Sequence, residues 1–311
     1  MTKLNEVMDE CKKVLYGQDN LIKGILSALV CKGHILVEGM PGLGKTLSIS
    51  LLGKLCELKF QRIQFTPDLM PSDLIGTMIY SAQKEEFQTK LGPIFTQLLL
   101  ADEINRSPAK VQAALLEAMA EKQVTIGEET FLLPKNFLVM ATQNPIEQEG
   151  TYNLPEAQLD RFMIKVQVEY PSFEEEKKII LLRENPLKDI KPVLSEESLE
   201  MIREDVEKVY VDPKIEDLII KIVHSTRPGN SLFSKKFENI IISGASPRAS
   251  LWMYKLSKFE AYFHGRDYVS PEDILNCASQ ILNHRIILSY EAVTEKIPLK
   301  DLIESVIKNY L

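Results

Sequence analysis

The feature that most constrains the fold is a glycine-rich segment that fits the pattern G-x-x-x-x-G-K-[ST] at every position. It follows a short apolar run, His34–Glu38, and precedes a helical pattern, Leu47–Leu58. A loop between a strand and a helix can cradle phosphates, because glycines let backbone N–H groups converge and the helix N-terminus attracts negative charge. The segment consists of Gly39, Met40, Pro41, Gly42, Leu43, Gly44, Lys45 and Thr46.

This loop predicts roles for its side chains. We expect the Lys45 ammonium to reach the β- and γ-phosphates of a nucleoside triphosphate, and the Thr46 hydroxyl to ligate magnesium. A glycine-rich turn without a ligand would have the same composition, but the strand before it and the helix after it favour phosphate binding. The other residues expected to contact the nucleotide here are Gly39, Pro41, Gly42, Leu43 and Gly44.

A second motif places two carboxylates at the end of an apolar strand, where Leu98–Ala101 is followed by Asp102 and Glu103. Ligands of parallel sheets gather at the carboxyl ends of the strands, so we expect Asp102 to hold magnesium, directly or through water. Glu103 is expected to orient and polarise the attacking water, which favours hydrolysis over phosphoryl transfer to a small acceptor. Many strands end in solvated acids, and this pair is informative because a phosphate-binding loop precedes it.

Residues 1 to about 185 alternate strand-like runs with helical patterns, which predicts a parallel sheet covered by helices. Most of the runs are apolar on both faces, as buried parallel strands are. The candidate strands are His34–Glu38, Arg62–Phe65, Gln97–Ala101, Phe137–Ala141 and Met163–Val168.

Beyond this region we find helical patterns only. Helix starts are marked by a capping residue followed by Pro, or by Glu three positions later. We therefore predict an α/β nucleotide-binding core over residues 1–188 and a helical domain over residues 189–311. The start signals are Ser172 with Glu175, Asp212-Pro213, Ser246-Pro247 and Ser270-Pro271.

The composition is that of an ordinary globular protein, with 311 residues of which 45% are hydrophobic and 26% charged. The cysteines show no paired spacing, which predicts neither a zinc site nor a disulfide framework and suits a reducing cytosol. No signal peptide is visible, and apolar stretches such as Gly24–Cys31 are too short to span a bilayer. We expect a cytoplasmic protein without membrane insertion. The cysteines are Cys11, Cys31, Cys56 and Cys277.

The net charge is −7. Proteins that grip nucleic acid along its backbone usually present a basic face, because neutralised phosphates supply the affinity. The acidic balance leaves room for a local basic stripe, but we expect protein partners rather than nucleic acid.

The residues around these motifs resemble AAA+ ATPases and, within them, the MoxR family, over essentially the whole chain. The resemblance implies an AAA+ P-loop core with a parallel sheet flanked by helices, a C-terminal all-helical lid domain, and hydrolysis of ATP to ADP with Mg²⁺. The stretches that carry the resemblance are Gly92–Phe95, Ala101–Arg106, Gln112–Met119, Ala141–Pro145, Leu154–Phe162 and Gly244–Arg248.

The resemblance also implies roles for three polar residues. Asn144 matches the sensor 1 position, which contacts the γ-phosphate or the attacking water; a turn before Pro145 is the structural alternative. Arg161 matches an arginine finger that reaches the nucleotide of the neighbouring subunit, where the alternative is a surface pair with Asp160. Arg248 matches sensor 2, which points from the lid to the phosphates. Arg106 is either a second trans-acting arginine or a partner in a salt bridge at a helix start.

Further segments are similar to the family. Gly17 and Gln18 match its N-terminal segment over the adenine, where contacts are mostly made by the backbone. Leu69–Leu91 lies where a helix-2 insertion would fall, and Gln123–Pro134 predicts a hairpin around a Gly turn. In related machines such hairpins touch substrates; a purely structural hairpin is the alternative.

The resemblance implies an ATP-hydrolysing, chaperone-like motor that forms a homo-oligomeric ring, a hexamer, and remodels or matures a protein client. The expected clients include proteins with von Willebrand factor A domains. Alternatives are a magnesium-chelatase-like motor subunit, a DNA-remodelling AAA+ ATPase and a non-hydrolysing nucleotide switch. The MoxR-type sequences of Asn153–Phe162 and Gly244–Arg248 favour the chaperone-like motor over the magnesium-chelatase-like subunit.

Overall fold

A computed structural model of the chain describes residues 2–145, 151–182, 187–188, 190–229, 240–295 and 298–308. Contacts divide the chain into two compact units. The larger comprises Lys3–Phe162 and Val166–Leu199, and the smaller is formed mainly by the described residues from Glu200 onward. The chain thus changes from one unit to the other near residue 199, and the domain boundary at residue 188 stays a prediction.

The strands are β1 Ile35–Gly39, β2 Phe60–Gln64, β3 Gly76–Ser81, β4 Glu86–Leu91, β5 Leu98–Asp102, β6 Gln123–Ile126, β7 Glu129–Leu132, β8 Leu138–Gln143, β9 Ile164–Val168, β10 Ile241–Ser243 and β11 Ile287–Leu288. The helices of the larger unit are α1 Lys3–Lys12, α2 Asp19–Val30, α3 Lys45–Leu55, α4 Pro71–Ile75, α5 Ala109–Glu121, α6 Glu156–Leu159 and α7 Phe173–Ile180. They are followed by α8 Glu196–Lys208, α9 Pro213–Ser225, α10 Pro247–Phe263, α11 Pro271–Leu282, α12 Tyr290–Thr294 and α13 Leu299–Lys308.

A five-stranded sheet in the order β2-β5-β8-β1-β9 organises the α/β part of the chain. The pairings β2–β5, β5–β8 and β8–β1 are all parallel. Every residue of the inner strand β5 is buried, whereas the edge strand β2 exposes three of its five residues. Burial of a leucine side chain contributes about 2 kcal/mol, so the apolar inner strands stabilise the sheet. The polar residues that follow these strands are thereby placed at the edge of the sheet. The five predicted strands and the α/β class are confirmed.

Two antiparallel hairpins interrupt the alternation of strands and helices. The insertion predicted over Leu69–Leu91 consists of α4 and the pair β3–β4. The hairpin predicted over Gln123–Pro134 is confirmed as β6–β7, with Gly127 at a positive φ of 63° in its turn.

The smaller unit is helical, and its capping signals are confirmed. Ser246 accepts a hydrogen bond from the N–H of Arg248 at the start of α10, and Asp212 accepts one from Lys214 at the start of α9. The structure adds one detail to the predicted all-helical lid, a short antiparallel pair of β10 with β11. Among the described residues, no helix combines the length and the apolar character needed to cross a membrane.

Candidate active site

The phosphate-binding loop joins the last residue of β1, Gly39, to the first residue of α3, Lys45. Gly42 and Gly44 have positive φ angles of 85° and 77°, a left-handed conformation that glycine adopts without a steric penalty. A Cβ atom at Gly42 would meet no atom within 4 Å. The backbone conformation of the loop, and not crowding, therefore requires glycine at this position.

The start of α3 provides donors for an anion. Its N-cap residue is Gly44, so no side chain caps the first turn. The first N–H groups of a helix have no acceptor within the helix, and together with the helix dipole they favour negative charge. The Lys45 Nζ donates to the Gly39 carbonyl at 2.6 Å, across the mouth of its own loop. The loop thus presents backbone donors and one cation on the side expected for phosphates.

Three neighbouring strands end at the same edge of the sheet. Strand β5 ends at Asp102, β8 at Gln143, and β1 at Gly39, and the register pairs Ala101 with Ala141 and Glu38 with Gln143. Asn144 follows β8 directly and is 7% exposed. The sheet therefore brings the loop, the two acids and the candidate sensor 1 to one edge.

Asp102 is almost fully buried and is hydrogen-bonded from both neighbouring strands. The Thr142 hydroxyl of β8 donates to Oδ1 at 2.6 Å. Nε and a terminal nitrogen of Arg62 in β2 donate to Oδ2 at 3.0 and 2.7 Å. These bonds fix the carboxylate and compensate its charge, as a buried ionised group requires.

Glu103 has a left-handed backbone conformation, with φ 57° and ψ 50°. Such a conformation is uncommon for a residue other than glycine and concentrates at functional sites. The backbone N–H donates to the Thr142 hydroxyl at 2.8 Å. The carboxylate accepts from Gln64 Nε2 at 2.6 Å and lies 3.2 Å from Arg106 Nε. Arg106 therefore contacts Glu103 within its own subunit.

Sequence reasoning missed Arg62 and Gln64, which contact the two acids. Both belong to β2, and residues two apart in a strand share one face. The two-residue spacing of Arg62 and Gln64 therefore predicts that both side chains lie on the same face of β2. Which strand lies next to β5 cannot be derived from the sequence of β2, because strand order is a property of the whole sheet.

The donor set fits a magnesium ion. Mg²⁺ prefers oxygen ligands and is usually bound by one or two protein groups together with phosphates and water. Oδ1 of Asp102 accepts one hydrogen bond, from Thr142, and keeps a further lone pair. The Thr46 hydroxyl makes no hydrogen bond to any residue that the structure describes. These two oxygens are therefore suitable candidate ligands.

The two candidate arginines lie in different units of the chain. Arg161 follows α6, and its guanidinium donates to the carbonyl of Leu116 in α5. Arg248 belongs to the first turn of α10 in the smaller unit and is exposed. Neither position by itself tests the roles implied by the resemblance, because one role needs a second subunit and the other needs the nucleotide.

The N-terminal segment packs beside the region that follows β9. Gly17 has a positive φ of 72°, and a Cβ atom there would lie 2.7 Å from an oxygen of Glu175. The Gln18 side chain is buried and donates to the Glu169 carbonyl at 3.4 Å. Hydrogen bonds from Ser172 lower the pKa of Glu175, which caps α7. The loop at Gly17 therefore requires glycine for both its conformation and its close contact.

Comparison with known proteins gives matches over both units. A model of the ATPase family associated with various cellular activities (AAA) matches residues 34–164. A model of the AAA lid domain matches residues 238–306.

Individual proteins match over nearly the full chain. Chaperone MoxR1 of Mycobacterium tuberculosis is 45% identical, over 98% of this chain and 81% of that protein. Protein MoxR of Methylorubrum extorquens is 28% identical, over 96% of this chain and 91% of that protein. A crystal structure of a candidate ATPase from Cytophaga hutchinsonii superposes with a TM-score of 0.93 at 48% identity, covering 99% of this chain and 94% of that chain.

Proposed function

This chain belongs to the MoxR family of AAA+ ATPases and hydrolyses ATP as a chaperone-like protein, and we propose that it works as a homo-oligomeric ring, a hexamer, that remodels or matures a protein client. The observation that carries the proposal is the common edge of β5, β8 and β1. There a phosphate-binding loop, two acids and a buried amide meet, as nucleotide hydrolysis requires.

The proposed roles follow from the chemistry of the groups at this edge. Lys45 and the backbone donors of the loop bind the β- and γ-phosphates, and Thr46 and Asp102 hold Mg²⁺. The bound cation neutralises negative charge on the phosphate oxygens. Glu103 orients and polarises the attacking water, and Asn144 positions it against the γ-phosphate. The contacts from Gln64 Nε2 and Arg106 Nε both go to Oε2 of Glu103, so Oε1 can accept from the water.

The two arginines supply positive charge from outside this edge. We assign Arg161 as the finger for the nucleotide of the neighbouring subunit, since a guanidinium matches the charge spread over the transferred phosphoryl group. This role requires it to leave the Leu116 carbonyl of its own subunit. We assign Arg248 as the lid's contact to the nucleotide, and Gly17 and Gln18 as the backbone that lies over adenine.

The hairpins are our candidates for contact with the client. The pair β3–β4 exposes large apolar side chains, among them Tyr80 and Phe87, whose rings pack edge to face at 5.4 Å. Exposed apolar clusters commonly mark surfaces for protein partners. Met78 of β3 lies against the turn of the second hairpin at Gly127, so the two hairpins form one surface. We propose that this surface binds a protein, with von Willebrand factor A domain proteins as candidate clients in the cytoplasm.

Mixing two inactive variants tests the ring and the finger together. Arg161→Ala keeps its own loop but cannot serve a neighbour, and Lys45→Ala keeps the finger but cannot hold phosphates. Each variant alone should lose at least about 10²-fold in ATPase rate, whereas their mixture should regain activity at mixed interfaces. The activity of the unaltered protein per subunit should rise with its concentration.

The outcomes separate the alternatives. Normal activity of Arg161→Ala alone would show that it is not the finger, and an inactive mixture of two folded variants would place its action within one subunit. Concentration-independent activity would contradict the ring.

Capture experiments test the client surface. Glu103→Gln should bind ATP without hydrolysing it and retain clients, which affinity purification and mass spectrometry would identify. Adding Phe87→Ser should remove those clients, while adding Leu251→Ser, at a comparably exposed position of the smaller unit, should not. Equal loss with both would contradict the assignment of the hairpins.

A further inference from the structure

The two carboxylate oxygens of Asp102 differ in the number of hydrogen bonds that they accept. Oδ1 accepts one hydrogen bond, from Thr142 at 2.6 Å. Oδ2 accepts two, both from Arg62, at 3.0 and 2.7 Å. An oxygen of a carboxylate offers two lone pairs, so Arg62 saturates Oδ2. Oδ1 keeps one lone pair for a cation, whereas a cation can bind Oδ2 only if Arg62 moves.

The guanidinium of Arg62 is held in place at this site. The terminal nitrogen that contacts Asp102 also donates to Gln64 Oε1, at 2.8 Å, on the same face of β2. The side chain of Arg62 is 49% exposed, whereas that of Asp102 is 12% exposed. Arg62 therefore has a route into solvent that the buried carboxylate lacks.

We propose that Arg62 is a displaceable counterion of Asp102, which compensates the carboxylate in the absence of nucleotide and opposes the entry of Mg²⁺. The inference rests on the proposed role of Asp102 as a metal ligand. A buried carboxylate without a partner is costly, and the guanidinium removes this cost. The same positive charge repels a divalent cation that approaches the same carboxylate. Arg62 thus lowers the affinity of the site for the cation.

A Mg²⁺ titration of equilibrium nucleotide binding tests the proposal without relying on hydrolysis. The measured quantity is the Mg²⁺ concentration at which the affinity for a fluorescent ADP analogue is half-maximally increased. Arg62→Ala should lower this concentration by about fivefold, a modest effect because the guanidinium is partly solvated. The difference should shrink as ionic strength rises, because salt screens exposed charges.

Two variants serve as controls. Arg62→Lys retains the charge but not the two donors of the guanidinium, so it should lower the half-maximal Mg²⁺ concentration less than Arg62→Ala does. Gln61→Ala removes an exposed side chain from the opposite face of the same strand and should leave the titration unchanged. Thermal unfolding checks that the variants fold; if Arg62→Ala does not fold, Arg62→Gln removes the charge while keeping a donor.

The result for Asp102→Asn distinguishes failure of this inference from failure of the metal site. If Asp102→Asn weakens the response to Mg²⁺ and Arg62→Ala does not lower the half-maximal concentration, the competition is refuted. An increase for Arg62→Ala would make Arg62 a residue that positions Asp102 for the metal. If Asp102→Asn responds to Mg²⁺ like the unaltered protein, the metal role of Asp102 is overturned, and the role of Arg62 with it.

Discussion

His34 in the α/β unit and Asp273 in the helical unit are buried in opposite charge states, one neutral and the other charged. In the α/β unit, His34 accepts the N–H of Val139 at Nδ1 and contacts the Met119 carbonyl through Nε2. Desolvation lowers its pKa to about 4, so it is buried as a neutral base. In the helical unit, Asp273 is buried as an anion, because two bonds from Arg266 and two from Ser270 outweigh the effect of desolvation on its pKa.

The two units also differ in where their hydrogen-bonded carboxylates lie. In the α/β unit, Asp102 and Glu103 lie at the edge of the sheet, where Arg62 and Thr142 bind Asp102 and Gln64 binds Glu103. The helical unit holds a bidentate ion pair inside, at 2.5 and 2.7 Å, where it joins the loop before α11 to the helix itself. Charge at the sheet edge is available for chemistry, whereas charge inside the helical unit stabilises the fold.

The largest expected effect is on the chemistry at the sheet edge. Glu103→Gln should lower kcat by about 10³-fold and leave nucleotide affinity nearly unchanged, because an amide cannot act as a base for the attacking water. Steady-state ATPase assays and binding of a fluorescent nucleotide measure the two quantities. Glu121→Gln, an exposed acid at the end of α5, should leave both unchanged. A fall of less than tenfold would remove Glu103 from the water-activating role.

The ion pair in the helical unit is expected to have the next largest effect. Asp273→Asn leaves Arg266 without a charged partner and should destabilise this unit by about 3 kcal/mol, the lower end for a broken buried pair because Arg266 is 27% exposed. Hydrogen exchange read by mass spectrometry resolves the two units separately. Faster exchange should appear in α10 and α11 and not in the sheet. The exposed neighbour Glu272 offers a matched control, Glu272→Gln, which should leave exchange unchanged.

Acid should destabilise the α/β unit first. The folded pKa of His34, about 4, lies below its usual value of 6.5, so stability is full above pH 6.5 and falls as the pH drops towards 4. The loss reaches about 3 kcal/mol by pH 4. Asp273, whose folded pKa is lowered from 3.8, costs stability only as the pH falls below that value.

Hydrogen-exchange rates measured from pH 7 to 4, corrected for the pH dependence of the intrinsic exchange rate, would show which unit acid destabilises first. His34→Gln should flatten the loss in the sheet, while His264→Gln, at an exposed position, should preserve it. A sheet that is equally stable at pH 7 and 4.5 would contradict the neutral burial of His34.

The smallest expected effect is at two glycines that have similar backbone conformations. Gly42 in the loop and Gly265 after α10 have φ angles of 85° and 74°, and a Cβ atom would meet nothing within 4 Å at either. Alanine at either position should destabilise its unit by about 1 kcal/mol, the cost of a left-handed backbone. Gly42→Ala should in addition weaken ADP binding several-fold, and Gly265→Ala should not. Equal nucleotide affinities would show that the loop tolerates distortion.

Much of the fold could be predicted because its signals are local. Most of the five strands are short apolar runs, and the predicted helix starts at Asp212 and Ser246 carry their own capping residues, so a few neighbouring positions suffice there. The pair β10–β11 escaped prediction, since it joins a three-residue strand to a two-residue strand more than forty positions away. Strands this short carry no periodicity, and the helices around them decide whether they pair.

The sequence by itself determined the phosphate-binding loop, the apolar strand that ends in Asp102 and Glu103, and the alternation that makes a parallel sheet. These depend on the residue types at a few adjacent positions. Only the tertiary structure decided that β2 lies beside β5, and so placed Arg62 and Gln64 on the two acids. Strand order results from the packing of the whole sheet, and no local pattern of charges or apolar residues specifies it.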